Sequence, residues 1–495
     1  MIGRSARATT GNGRHRSFWL QEALAQESGD LSAPLYGTIR ADLCIVGGGF
    51  TGLWTAIQVK DRDPSISVVI VEADICGGGA SGRNGGMVLS WWPKIETLLE
   101  RTDADEARRL AQASEDAIAA IGAFCEREQI DAHFCQKGWL WTATSPAQVD
   151  AWAGAVRACE RLGVSPFIPL SADEVRRRTG SPVHLGGVLE PSGATVQPAL
   201  LARGLRRVAL ARGVQIFEQT PMIRLDRRAG IVHTPAGAVE ASTIVLATNA
   251  WAAQVRELRR AIVPLGSDMV VTEPMPDALA ESGWTGGESI SNSRLMVHYY
   301  RTTRDGRVAF GRGGGQLAAL GRIGAHFDLD PRLAGQVADD LQRLVPAARG
   351  VRIAHAWGGP VDRSHDGLPL FGRLPGRVPI WYGVGFSGNG VGPSYLAGKI
   401  LAASVLEQAD EWATCSLARG VQGQFPPEPI RFFGGILVRE AVRRKEGRED
   451  LGLRVDPLTR RLAALAPSGY FKVTPTEHRQ EPTSARTASS AGGRP

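Results

Sequence analysis

The order of apolar, alternating and glycine-rich stretches predicts an α/β protein. One parallel-sheet domain is assembled from discontinuous segments, and an antiparallel-sheet (α+β) domain is inserted between them. Three observations predict it. Residues 42–86 read as strand, glycine turn, helix, strand and a second glycine loop. From Ala261 to Gly315 the pattern becomes strand-like, with IVPLGSDMVVTE, LMVHYYRTT and GRVAFGRGGG separated by turn signals. A third glycine-rich stretch, SGNGVGPS, follows the strand-like VPIWYGVGF and leads into a helix reaching Glu407. At 495 residues the chain exceeds what one compact core holds, so at least two domains are expected.

The first unit is the most specific. Asp42–Val46 is an apolar, β-branched run, and Phe50–Lys60 has helical apolar spacing. Between them Gly47, Gly49 and Gly52 fill G-x-G-x-x-G. The first glycine permits the turn, the second lets backbone approach a pyrophosphate, and the third lets helix pack closely on strand. Phosphates would sit at the helix N-terminus, where unpaired N–H groups and the dipole favour negative charge. The returning strand Ser67–Val71 ends at Glu72, an acid placed to accept both hydroxyls of an adenosine ribose. Together these make a Rossmann-type dinucleotide-binding domain, and the adjoining loop GASGRNGG argues that the dinucleotide is FAD.

The remaining elements follow in order. Asp105–Glu128 and Ala147–Leu162 read as amphipathic helices, and Ser171 with Glu174 begins a short one as a capping box. Pro198–Arg212 is a helix and Val214–Glu218 a strand. Ile231–Glu240 forms a strand pair about the Pro235–Gly237 turn, and STIVLAT leads into Asn249, Ala250 and Trp251. A helix over Arg332–Leu344 precedes strand-like VRIAHAW and the segment HDGLPLFG. The expected dinucleotide domain therefore takes residues 36–90, 195–255 and 350–410, and the substrate domain takes 91–194 and 256–349. Residues 411–474 form a C-terminal extension with a basic amphipathic helix at Arg431–Arg448. Residues 1–16 and 475–495 have the composition of disordered tails.

The net charge of +7 does not mark a nucleic-acid surface. Residues 1–16 hold four arginines and no acid, and basic residues exceed acidic ones by six from Arg431 onward, leaving residues 17–430 at −3. No run of eighteen apolar residues predicts a membrane span, and the basic N-terminus lacks an apolar segment that would make it a secretory signal. The six cysteines show no C-x-x-C spacing, so reduced thiols, no metal and a cytoplasmic location are expected. The basic helix leaves peripheral membrane contact open, although such a stripe more often docks on its own protein.

Gly383, Gly385 and Gly388 also spell G-x-G-x-x-G, which raises a separate NAD site. Its confirming context is missing: QADEWATCS after the helix offers neither a parallel strand nor an acid at its tip. The reading preferred is that Gly385–Gly390 closes over the same cofactor, with the helix beginning near Gly392 aiming its positive end at developing charge.

These motifs resemble the D-amino-acid-oxidase-like FAD oxidoreductases, the group of glycine and sarcosine oxidases. The residues that carry the resemblance are the N-terminal fingerprint, GASGRNGG, LATNAW, YYRTTRDGRVAFGRGGG, HDGLPLFG and GFSGNGVGPSYLAGK, spanning about 36–408 in order. SFWLQEAL and the ASGRNGG loop are nearest to γ-glutamylputrescine-oxidase-like and aminophosphonate-oxidoreductase-like proteins. The resemblance implies an FAD-dependent enzyme that takes a hydride from the carbon beside an amine and gives an imine that water hydrolyses. The acceptor of the electrons would be oxygen or a quinone. The alternatives are a flavin-binding subunit or assembly protein without amine turnover and an NAD-linked dehydrogenase.

For the cofactor the resemblance implies contacts at Gly47, Gly49, Phe50, Thr51, Gly52, Glu72, Ala73, Ala80, Ser81, Arg83, Asn84, Gly85 and Gly86. It adds Met222, Ala247, Trp251, Asp366, Gly385, Ser387, Gly388, Asn389 and Gly390. Relatives that tether flavin use a Cys or His in segments that lack them here, so noncovalent FAD is expected and Cys76 is read as a packed residue. Tyr299 and Arg301 are the expected substrate residues. They share one strand face, opposite Tyr300, and a buried guanidinium there would call for a carboxylate or phosphonate on the substrate. Asp366 is equally readable as a turn cap.

Overall fold

The computed structural model describes residues 15–27 and 32–467. The tails expected at 1–14 and 475–495 lie outside the described residues. His15 and Arg16, assigned to the basic tail from sequence, are packed instead: Arg16 is buried and ion-paired with Asp74.

The first sheet runs in the order Leu370–Leu374, Ile380–Val384, Gly237–Leu246, Gly37–Val46, Val68–Val71 and Gln215–Phe217. Along this path all neighbours pair in parallel except the edge strand Leu370–Leu374, and Ile231–His233 and Arg224–Asp226 add an antiparallel branch beside Gly237–Leu246. The central strand Gly37–Val46 begins five residues before its apolar run, because its first half pairs with Gly237–Ala241. Its last four residues are fully buried, as befits a parallel sheet covered on both faces. Helices Phe50–Arg62 and Val391–Val405 cross on one side so closely that a Cβ at Gly398 would lie 2.8 Å from Cβ of Trp54. Each begins directly after a glycine loop, so their N-termini open at the same end of the sheet.

The second sheet runs Ile353–Ser364, Ile262–Thr272, Val308–Arg312, His298–Thr302, Ser289–Asn292, Trp139–Ala143, Gly186–Glu190 and Ile168–Leu170. It is antiparallel except where Ser289–Asn292 meets Trp139–Ala143. Two expectations change here. Ile353–Ser364, placed in the dinucleotide domain from sequence, belongs to this sheet because it pairs along nearly all of Ile262–Thr272. The helix expected over 147–162 starts only at Ala153, since Pro146 opens a separate turn that the Gln148 side chain ties to Ser145.

One face of the second sheet is sealed by helix Pro331–Leu344, whose Val337, Leu341 and Leu344 join Val270, Tyr300 and Phe310 in a core. The other face turns toward the glycine loops. Helix Ile430–Asp450 docks on this body through Glu446, which pairs with Arg294 and accepts the Leu295 N–H at 2.6 Å. Among the described residues no helix is long and apolar enough to cross a membrane, and no acid, His and Cys cluster could hold a metal ion.

Candidate active site

The first glycine loop is shaped by close approach. Gly47 sits at φ +115°, and a Cβ there would lie 2.5 Å from the Ala247 carbonyl oxygen. A Cβ at Gly52 would lie 2.0 Å from the Gly47 carbonyl, so helix Phe50–Arg62 can begin here only on glycine. Two of the loop's N–H groups are used internally: Gly48 donates to the Glu72 carboxylate at 2.7 Å and Phe50 to Ser81 Oγ at 2.8 Å. The amides of Gly49 and Thr51 have no partner among the described residues, and both residues are half-buried. They form an anion cradle at a helix N-terminus.

Glu72 closes one end of this cradle. Its second oxygen accepts the Asp74 N–H at 2.8 Å, which leaves further lone pairs on both oxygens for a ligand. Burial raises its pKa, opposed by those two N–H groups and assisted by the charges of Asp74 and Glu218. Ala73 beside it is exposed, whereas Met222 packs against the sheet core. Cys76 is buried against the glycine loop, within 2.5 Å of a Cβ at Gly48, and burial pushes its thiol far up. It is a packed thiol at the Glu72 end.

The second loop, including the turn Ala80–Gly82, is tied from several sides, and this corrects the roles expected of Arg83 and Asn84. Arg83 is buried and donates to the carbonyls of Gly78, Gly358 and His15 while pairing with Asp328 at 3.3 Å. Asn84 donates to the carbonyls of Ala80 and Ser81 and accepts the Gly86 N–H at 2.7 Å. Both side chains are spent on shaping the loop. The N-terminal segment, unrecognised as structure from sequence, is a further tie. Ser17 Oγ donates to the Gly82 carbonyl at 2.5 Å and the Trp19 indole to that of Asn84 at 3.0 Å. SFWLQEAL carried the signal: Ser17 caps helix Phe18–Gln26, and Trp19, Leu20 and Ala23 form its buried face.

The third loop is held to the second sheet and to the stretch that follows the second loop. Gly385 donates its N–H to Asp362 at 2.6 Å, Ser387 Oγ accepts the Ser364 N–H at 3.0 Å, and Asn389 donates to the Ser90 carbonyl at 3.1 Å. Ser387 and Gly388 take positive φ to make these turns. Burial raises Asp362 to about 6 against the N–H groups that hold it down. Asp366 proves to be the turn cap, accepting the Leu368 N–H at 3.0 Å and pairing with Arg101. No strand follows helix Val391–Val405 among the described residues, so the third loop lacks the second half of a separate NAD unit.

The loops and the sheet meet along one partly open band. On Ile353–Ser364, Gly359, Val361 and Arg363 are half-buried while the residues between them are buried. On Ile262–Thr272 the half-buried residues are Leu265 and Ser267, which pair with Val361 and Gly359. Tyr299 continues the band: its ring lies over Gly311, and its hydroxyl shares a 2.9 Å hydrogen bond with Ser267 Oγ. Three contacts join the band to the loops. A Cβ at Gly359 would lie 3.2 Å from Cβ of Arg83, one at Gly388 3.9 Å from Val361, and one at Gly85 2.9 Å from the Tyr299 ring. Trp251, 3.8 Å from a Cβ at Gly79, and Asn249, whose buried Oδ1 lacks a partner among the described residues, lie at the end of the parallel sheet. Gly390 and Ala80 are also half-buried.

Tyr299 is half-buried on its strand, with its phenol raised to about 12 by burial, so it stays protonated and acts only as a hydrogen-bonding group. Arg301 does not fit its expected role. Its guanidinium is buried, donates to the carbonyls of Gly85 (2.8 Å), Val196 (2.5 Å) and Thr302 (3.2 Å), and stacks on Trp19 at 5.0 Å. Burial lowers its pKa to about 10. The premise that a substrate anion must pair with it therefore falls, because carbonyls already do so.

The parallel sheet, its glycine cradles and the facing β-wall define a dinucleotide-dependent redox protein. More specifically, the chain belongs to the DAO family of FAD-dependent oxidoreductases, whose family model matches residues 42–404. It is 30% identical over 377 residues to γ-glutamylputrescine oxidoreductase of Escherichia coli, covering 74% of this chain and 83% of that protein. It is 27% identical to glycine oxidase of Geobacillus kaustophilus, covering 78% and 98%. The solved structure of that glycine oxidase matches with a TM-score of 0.63 at 22% identity, over 77% of this chain and 99% of that one. The cofactor is FAD, and the fit rests on the two free amides, the Glu72 carboxylate and the glycine positions that a Cβ would fill.

Proposed function

We propose that the protein oxidises the C–N bond of a small amine or amino acid, giving an imine that water hydrolyses. The observation that carries this reading is the band between glycine loops and β-wall, whose nearest protein groups are hydrogen-bonding and apolar ones: Ser267, Tyr299, Leu265 and Val361. When bound, FAD supplies the hydride acceptor, so the protein has only to bind, orient and exclude water. Gly49 and Thr51 would hold the pyrophosphate and Glu72 the adenosine ribose. The Gly79–Gly86 loop would carry the ring system along the band. Helix Val391–Val405 would present its positive end to the ring, favouring negative charge there. The sheet wall of Tyr299 and Ser267 would then face the substrate.

The test is an anaerobic screen of the purified yellow protein over amines, amino acids and aminophosphonates, following loss of the flavin absorbance. Bleaching by an amine-bearing compound is expected. A protein that binds FAD yet bleaches with none of them would be a flavin-binding subunit, and the reading would fail.

Attachment of the flavin is a separate expectation. The nearest cysteine to the glycine cradle, Cys76, is sealed beside Gly48 at the Glu72 end. Acid precipitation should therefore release all the FAD to the supernatant, and a yellow pellet would refute noncovalent binding.

A further inference from the structure

Helix Ile430–Asp450 lies beyond the residues that the DAO family model matches, and only one of its sides is spent on the rest of the protein. Arg431, Val442 and Glu446 are buried there. On the opposite side Ile430, Phe433 and Leu437 are 63%, 63% and 62% exposed, at the i, i+3, i+7 spacing that makes one stripe, and exposed Arg444 continues it two turns on. The chain then folds back beside the same stripe: the Arg454 carbonyl accepts from Arg448 at 2.7 Å, and Asp456 lies 3.6 Å from Arg444. This return adds exposed Leu451 and Leu453. On and just after the short helix Pro457–Ala463, exposed Leu458, Arg461 and Leu465 repeat the spacing. Of the thirteen large apolar side chains exposed among the described residues, seven lie between Ile430 and Leu465, so apolar surface is gathered on this extension and not scattered. We propose that this face docks on the surface of a lipid bilayer that carries anionic headgroups.

The charge of the face selects its occupant. Between residues 428 and 467 the exposed charged residues are Arg443, Arg444, Arg454, Arg460 and Arg461. The acids of that stretch are buried or half-buried, and each is paired within the chain, as Glu440 is with Arg443 and Glu449 with Lys445. What faces outward is therefore aliphatic and aromatic surface bordered by guanidinium groups. An anionic bilayer answers both parts: the boundary of the acyl chains takes the apolar side chains, and the headgroups take the arginines. A second copy of the chain answers only one. A two-fold contact would set these arginines against their own copies, with no unpaired acid of the extension among the described residues to meet them. The inference is independent of the amine-oxidation reading, since none of these side chains belongs to the band between glycine loops and β-wall.

The experiment floats the FAD-loaded full chain with vesicles of phosphatidylcholine alone and of phosphatidylcholine mixed with phosphatidylglycerol. The protein should rise with the anionic vesicles, far less with the neutral ones, and less again as salt is added. Phe433→Ser combined with Leu437→Ser removes two side chains that would enter the bilayer, and should weaken binding to anionic vesicles about tenfold or more. Arg443→Gln, Arg444→Gln, Arg460→Gln and Arg461→Gln together should weaken it about 100-fold or more, leaving binding that salt hardly changes. Both variants should keep the FAD content and Tm of the unaltered protein, because the substituted side chains are exposed. An unaltered protein that does not float with anionic vesicles would overturn the proposal, and so would undiminished flotation of either variant. Should the serine variant misfold, the glutamine variant decides alone on the same criterion. A dimer in sedimentation that the serine variant dissolves, without any vesicle binding, would give the face to a second copy of the chain instead.

Discussion

Glu72→Ala should purify as folded but largely colourless protein. The carboxylate sits at the tip of Val68–Val71 and orders the cradle even before a ligand arrives, accepting the N–H groups of Gly48 and Asp74. Removing it leaves those two donors unpaired and deletes the acceptor proposed for the ribose hydroxyls. Hydrogen bonds to a charged group are worth about 1.5–3 kcal/mol each, so two lost to the ribose weaken FAD binding by about 3–6 kcal/mol. That is a fall of roughly two to four orders of magnitude in affinity. The ratio of flavin to protein absorbance after purification, and titration of the stripped protein with FAD, measure it directly. Glu72→Gln, which keeps an acceptor oxygen, should lose less. A fully yellow Glu72→Ala protein with unchanged FAD affinity would remove Glu72 from the cofactor site.

The dinucleotide unit was legible because each part of its function demands a residue type at a fixed place. A turn that brings Gly47 against the Ala247 carbonyl admits only glycine, and so does a helix start that puts Gly52 on the Gly47 carbonyl. The strand IVPLGSDMVVT was legible from its apolar, β-branched character between turn signals. The strands Trp139–Ala143, Gly186–Glu190 and Ser289–Asn292 were not. Trp139–Ala143 and Gly186–Glu190 are buried on both faces, and so is Ser289–Asn292, hence none shows a period of two. The polar side chains of the site were the hardest to read. Arg83 lies in a glycine loop and Arg301 in the segment that resembles the family's substrate-facing strand, which suggested ligand contact, yet their partners are carbonyls brought from distant parts of the chain: Gly358 for Arg83 and Val196 for Arg301. Hydrogen bonds at that separation leave no local pattern.

Arg301→Met should destabilise the protein and should not change its preference among amines. The guanidinium bridges three parts of the site: the Gly85 carbonyl of the second loop, the Val196 carbonyl before helix Pro198–Ala211, and its own strand at Thr302. It also lies against Trp19 of the N-terminal helix, which itself holds Asn84. Methionine fills much of the volume but donates nothing, so the buried carbonyls lose their partners at about 1–3 kcal/mol apiece. A total of about 3–9 kcal/mol is expected, and in a chain of this size that should lower Tm by about 3–10 °C. Because Gly85 stands against the Tyr299 ring, loosening the loop disturbs the wall for every substrate alike. The efficiencies for anionic and uncharged amines should therefore fall together, by a factor that shrinks when assays are run well below the new Tm. Thermal denaturation and paired kinetics separate the two possibilities: an unchanged Tm with loss confined to anionic amines would make Arg301 the group that meets the substrate's charge.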